Sequence, residues 1–105
     1  MRLEHYPVEK LKQEILNIVS RYLNLKEYRV FFFGSRVNGK GDERSDVDIG
    51  IEGPTEIPFE VMGKILEDLE KLPILYKIEA VDFKKVPLDF RKVAMQSVEL
   101  ITENS

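Results

Sequence analysis

Asp46 and Asp48 stand two residues apart in the run Asp46-Val47-Asp48-Ile49, where acidic and β-branched residues alternate. This alternation predicts a half-buried strand with both carboxylates on one face. At this spacing the two Cα atoms are about 6.6 Å apart, so the carboxylate oxygens can converge on cations bound between them. Hard oxygen ligands favour Mg²⁺, with Mn²⁺ as the alternative.

Two such ions, about 3.5 to 4 Å apart, can clamp the attacking and leaving oxygens of an in-line phosphoryl displacement. This arrangement usually needs a third carboxylate. Asp82 is the natural candidate, because it lies on the third predicted strand, and a neighbouring strand could bring it opposite the first two aspartates. It would bind one ion and accept the proton of the acceptor hydroxyl. We therefore predict Asp46, Asp48 and Asp82 as metal ligands and catalytic residues.

The segment before the aspartate pair carries residues suited to phosphate. Gly34 ends an aromatic strand and lets the backbone approach a triphosphate closely. Ser35 offers a hydroxyl and an amide at a predicted helix start, where phosphate binds well. Arg36 and Arg44 can offset the remaining phosphate charge. These residues predict a nucleotide-binding loop.

Phe33-Gly34-Ser35, a gap of ten residues, and then Asp46-Val47-Asp48-Ile49 match the signature of the DNA polymerase β-like nucleotidyltransferases. The sequence resembles the minimal, single-domain branch of that superfamily (MNT). Gly-Ser-Arg, a glycine at the position of Gly39, and a serine before the first aspartate recur in that branch. The resemblance covers most of the chain. The expected nucleotide-binding residues are Gly34, Ser35, Arg36 and Ser45.

This resemblance implies a palm-like sheet, bound Mg²⁺, and an NTP donor whose nucleoside monophosphate moves to a hydroxyl while pyrophosphate is released. Minimal members look like one half of a pair. The other half is a small all-helical protein of the HEPN or substrate-binding type, often organised as toxin and antitoxin. In such pairs the nucleotidyltransferase can adenylylate its partner. ATP is therefore the expected donor and a HEPN-type protein the expected partner, although the resemblance does not name the acceptor.

Periodicity along the chain predicts the elements that position these residues. A helix from Pro7 to near Asn24 precedes a strand over 28–33, a loop over 35–45 with one helical turn at its start, and a strand over 46–51. A helix over 59–69 and a strand over 74–83 follow, and a last helix carries Phe90 through Ile101. The order of elements predicts one α+β domain over 1–105, with helices packed on a small sheet. The resemblance implies that this sheet is mixed.

Composition limits the classes of function. The net charge of −3, from 16 basic and 19 acidic residues, argues against a broad electrostatic grip on nucleic acid. An RNA end stays among the acceptors, but charge does not favour it. The absence of cysteine excludes thiolate metal sites. No apolar run is long enough to span a membrane, and we expect a cytoplasmic protein.

Several alternatives compete with these interpretations. Acidic residues that alternate on a strand also form the ordinary solvent face of a sheet. Glu79 lies on the same predicted strand as Asp82, but their separation of three places them on opposite faces. A glycosyltransferase needs a larger nucleotide-binding domain, and a P-loop enzyme needs a Gly-Lys-[Ser/Thr] that is missing. The remaining alternative to catalysis is a binding module that neutralises a helical partner while its nucleotide site is vestigial.

Overall fold

The structure of the protein, a computed structural model, describes residues 1–39 and 46–103. Helices and strands alternate along it: α1 (Val8–Ser20), β1 (Arg29–Phe33), α2 (Ser35–Asn38), β2 (Val47–Glu52), α3 (Phe59–Glu70), β3 (Ile78–Asp82), α4 (Leu88–Ala94) and β4 (Glu99–Leu100). The sheet order is β3-β2-β1-β4. β1 is antiparallel to β2 and β4, whereas β2 and β3 are parallel. The predicted α+β class with a mixed sheet is confirmed.

One face of the sheet packs against α1 and α3, and we call it the helix face. Apolar residues recur along α1 at spacings of three and four, so they form a single buried stripe. They meet the inward side chains of β1 and β2, which alternate with residues on the other face. The main contributors are Leu11, Ile15 and Val19 of α1, Val30 and Phe32 of β1, Ile49 and Ile51 of β2, and Ile65 and Leu69 of α3.

The opposite face, which we call the front face, carries a smaller aromatic cluster. Phe31, Phe33 and Phe83 are buried there, and the Phe83 ring meets the other two edge-on at 4.9 and 5.0 Å between centroids. Gly50 lies beneath them, where a Cβ would come within 2.4 Å of the Phe31 ring. Only glycine leaves room for these rings. Helix α4 packs over this cluster, through Ala94.

The C-terminal part of the chain differs from prediction. The last helix ends at Ala94 instead of continuing to Ile101, and Glu99–Leu100 pairs with Phe31 and Phe32 as strand β4. The free edge of β1 offers unpaired N–H and C=O groups to this segment, which outweighs its helical spacing. The third strand is also shorter than predicted, because it begins at Ile78 and not at residue 74.

Across the described ranges, no helix combines the length and apolar character needed to cross a bilayer.

Candidate active site

Gly34 and Asp48 meet where β1 ends. Phe33 is the register partner of Asp48 in the antiparallel pair, so the backbone leaving β1 passes directly beside this carboxylate. Gly34 has φ 87° and ψ −163°, a conformation that is essentially restricted to glycine. A Cβ at this position would lie 2.5 Å from Asp48 Oδ2. Glycine is therefore required here both for its backbone angles and for space.

The chain then forms the single helical turn that was predicted after Gly34. The N–H groups of Val37 and Asn38 donate to the Gly34 carbonyl at 3.1 and 3.2 Å, and Gly39 ends the turn in the left-handed conformation. The first N–H groups of a helical turn point out of its N-terminal end. Ser35 therefore stands at the start of a turn that opens beside Asp48.

The Arg36 side chain extends towards the segment before β3. Its guanidinium lies over the Tyr76 ring, 4.7 Å from the ring centroid. The Tyr76 hydroxyl in turn accepts hydrogen bonds from the backbone N–H groups of Glu4 and His5. Arg36 thus joins the loop after β1 to the N-terminal segment, while its predicted contact with phosphate stays a prediction. Ser45 and Arg44 lie outside the described residues.

The acidic residues of β2 share their surroundings with Glu79 of β3. Asp48 is half-buried and pairs in register with Glu79 in the parallel ladder, so both side chains lie on the front face. Asp46 is exposed and immediately precedes β2. Burial, and then the negative charges of Glu79 and Asp46, raise the pKa of the Asp48 carboxyl. Three carboxylates therefore interact at the start of the two parallel strands.

Lys77 is the basic residue at this end of β3. Its Nζ donates to Glu79 Oε1 at 3.1 Å, and this hydrogen bond is the main reason that the pKa of Lys77 is raised. The charge of Asp46 adds to the effect. Lys77 and Glu79 are both substantially exposed, so solvent screens the pair and it offsets only part of the local negative charge.

The structure corrects the predicted placement of Asp82. It pairs in register with Ile51, towards the far end of β3, and its side chain is on the helix face. There Asp82 is buried, with 6% exposure, and both carboxylate oxygens are engaged by backbone. Oδ2 accepts from the N–H of Ile57 at 2.7 Å and Oδ1 from the N–H of Lys84 at 2.9 Å. Asp82 fixes two loops and does not approach Asp46 and Asp48.

Glu79, and not Asp82, is the acidic residue of β3 that lies beside Asp48. It does lie on the opposite face from Asp82, as predicted, but that face is the one that carries Asp48. A signal was available, because strands joined through a helix are normally parallel. Parallel pairing aligns the starts of β2 and β3, and so brings the first acidic residues of both strands together.

The donor set suits a divalent cation. Carboxylate oxygens are the ligands that Mg²⁺ prefers. Burial first, and then the charges of Glu79 and Asp46, raise the pKa of Asp48, and a bound cation would compensate those charges. Within 1–39 and 46–103, no three acidic side chains are yet close enough to form a complete metal-binding group. Asp46, Asp48 and Glu79 are the acidic residues at this end of the sheet that could hold such an ion.

A cavity of about 600 Å³ opens beside Asp48 on the β1 side of the front face. Its walls come from the end of β1, from α2, and from α4 together with the segment that follows it. The residues other than Asp48 that line it are Phe33, Gly34, Asn38, Phe90, Val93, Ala94, Gln96 and Ser97.

Residues 10–105 match the family model described as polymerase beta, nucleotidyltransferase. The chain belongs to this family. The prediction of a polymerase β-like nucleotidyltransferase is confirmed, and the carboxylates beside the glycine turn lie in a nucleotidyltransferase domain. A relative from Haemophilus influenzae, a probable protein adenylyltransferase MntA, is 28% identical over 95 residues, which span 89% of this chain and 83% of the relative.

Solved structures show the same fold at low sequence identity. A crystal structure of a toxin–antitoxin with AMP-PNP has a TM-score of 0.71 and 14% identity, covering 90% of this chain and 74% of the other. A tri-AMPylated Shewanella oneidensis HEPN toxin in complex with an MNT antitoxin has a TM-score of 0.62 and 14% identity. That match covers 91% of this chain and 73% of the solved chain.

Proposed function

We propose that this nucleotidyltransferase transfers AMP from ATP to a hydroxyl group of a small all-helical HEPN-type protein, and that it acts as the antitoxin of that partner. The observation that carries the proposal is the meeting of the Gly34 backbone, Asp48 and Glu79 at one end of the sheet. The adenylyltransferase name of the Haemophilus relative and the AMPylated toxin among the structural neighbours support the donor and the partner.

In the proposed reaction, the acceptor oxygen bonds to the α-phosphorus, the bond from that phosphorus to the bridging oxygen breaks, and pyrophosphate leaves. Asp46 and Asp48 would hold two Mg²⁺ ions, which would neutralise charge on the phosphates. Glu79 takes the role first assigned to Asp82, and it accepts the proton of the acceptor hydroxyl. Gly34 and Ser35 hold the triphosphate through the backbone at the helical turn.

Label transfer from each α-³²P-NTP in Mg²⁺ tests this proposal, with and without a HEPN-type partner. Wild type is compared with the double variant Asp46→Asn/Asp48→Asn. We expect the label from ATP to appear on the partner with wild type alone. If neither protein transfers label and both neutralise the partner, the chain is a binding module, which is the alternative function.

A further inference from the structure

The cavity beside Asp48 lies on the donor side of the candidate site. Asp48 is on β2, the cavity is bounded by Phe33 and Gly34 of the adjoining β1 segment, and Glu79 is on β3, the neighbour on the other side. A group that extends from the triphosphate-binding turn at Ser35 therefore reaches this cavity without crossing the acceptor position at Glu79.

The walls of the cavity combine apolar surface with a few polar groups. Phe90 and Val93 of α4 are 44% and 69% exposed and both line the cavity, so its wall presents contiguous apolar surface to solvent. Gln96 and Ser97 follow at its rim, and they carry amide and hydroxyl groups. The volume of about 600 Å³ is within the range of small-molecule sites. This chemistry matches a flat aromatic heterocycle with a polar edge.

Phe90 is held in place before any ligand binds. Its ring lies 6.0 Å from the centroids of both Phe33 and Phe83, at interplanar angles of 83° and 58°. Both supporting rings are buried in the aromatic cluster of the front face. A ring fixed by two neighbours loses little conformational entropy on binding, so it is a suitable stacking surface.

We infer that this cavity binds the nucleobase of the donor nucleotide, with Phe90 and Val93 against its flat face and Gln96 and Ser97 at its polar edge. The inference rests on the proposed nucleotidyl transfer and names the residues that select its donor. Phe90 contributes affinity that is common to all bases, since every base presents a π face. Gln96 contributes the discrimination between bases.

Calorimetric titration of the full chain in Mg²⁺ tests the inference with two ligands, α,β-methylene-ATP and inorganic tripolyphosphate, which lacks the base. We expect Phe90→Ala to weaken the nucleotide about tenfold, as loss of a stacking ring does, and to leave tripolyphosphate affinity unchanged. Phe59→Ala is the matched control, because Phe59 is 83% exposed on α3 and does not line the cavity. Gln96→Ala should change the ratio of affinities for the ATP and GTP analogues.

Val93→Gln is a second variant of the cavity wall, and its affinities for the same two ligands are compared with those of wild type. Val93 is exposed, so this substitution should not impair folding, and it tests the inference if Phe90→Ala does not fold. Unchanged nucleotide affinity in both variants would overturn the inference. If transfer to the acceptor nevertheless fell in these variants, the cavity would hold the acceptor instead of the base. Equal loss of both ligands would also overturn it, since the wall would then be structural. A wild type that binds neither ligand would refute the proposed function itself.

Discussion

Two acidic residues on one short strand have opposite surroundings in this protein. Glu79 faces Asp48 across the parallel ladder and is half exposed, with an exposed lysine, Lys77, as its partner. Asp82, three residues later, is buried and accepts two backbone hydrogen bonds. A carboxylate that is buried on the helix face and held there by two backbone donors cannot turn towards a cation beside Asp48. The two residues therefore differ in the sheet face that they occupy and in their access to solvent.

The contrast predicts separable effects of two conservative variants. Glu79→Gln should reduce nucleotidyl transfer by at least about 100-fold, because a general base is lost, and it should leave thermal stability nearly unchanged. Asp82→Asn should cost about 1–3 kcal/mol of unfolding free energy, since an amide NH₂ would face backbone donors. Transfer per folded molecule should remain. Label transfer and thermal unfolding measure both, and loss of transfer in Asp82→Asn at unchanged stability would return the catalytic role to Asp82.

Gly34 and Gly39 provide a matched pair for the turn beside Asp48. Both have positive φ, 87° and 79°, but only at Gly34 would a Cβ collide with the Asp48 carboxylate. Gly34→Ala should therefore lower both stability and transfer, whereas Gly39→Ala should cost only about 1–2 kcal/mol of stability and keep transfer. Thermal unfolding and label transfer distinguish them. Equal losses in the two variants would mean that backbone angle alone matters.

Helix α4 is joined to the sheet by an ion pair at the end of the front face away from Asp48. Arg91 Nε and Nη2 donate to the two carboxylate oxygens of Glu52 at 2.7 and 2.9 Å. Arg29 donates to the same carboxylate at 2.6 Å. The hydrogen bonds from Arg91 have the largest effect and, together with those from Arg29, lower the pKa of Glu52 to about 2. The pair orients α4, which carries one wall of the cavity.

Because of this ion pair, part of the free energy of unfolding should depend on pH in the acidic range. Because the folded pKa of Glu52 lies below its ordinary value of 4.5, its contribution is complete above pH 4.5 and is lost as the pH falls towards 2. Glu52→Gln should therefore have a lower Tm than wild type at pH 7, and the difference should shrink between pH 4.5 and 2. Thermal unfolding across this range measures it. A difference that does not vary with pH would show that Glu52 contributes through packing alone.

The regular elements could be predicted from the sequence where one physical effect dominates. The apolar stripe of α1 and the alternation around Ile49 each result from burial of a single face, which a sequence pattern records directly. The pairing of β4 with Phe31 could not be predicted, since it depends on a free strand edge nearly 70 residues away. The predicted position of Asp82 beside Asp48 was wrong for a related reason. Strand register decides which acidic residue lies opposite Asp48, and alternation alone does not fix register.

At the scale of the whole molecule, the candidate site costs stability that a bound cation would restore. Three carboxylates interact there, and burial already disfavours the charged form of Asp48. Without metal, Asp48→Asn should therefore unfold at the same or a higher temperature than wild type. Added Mg²⁺ should raise the Tm of wild type and have little effect on Asp46→Asn/Asp48→Asn. Thermal unfolding with and without Mg²⁺ measures this, and an equal rise in both proteins would place cation binding elsewhere.

The pairing of β1 with β4 also has a consequence for synthesis of the chain on the ribosome. Phe31 is made early, but its partner Leu100 is added some 70 residues later, after every other strand. Contacts so far apart in sequence form slowly, and here they cannot form until the last strand has left the exit tunnel. Until then a nascent chain exposes this edge of β1, and it is most open to aggregation or to chaperones.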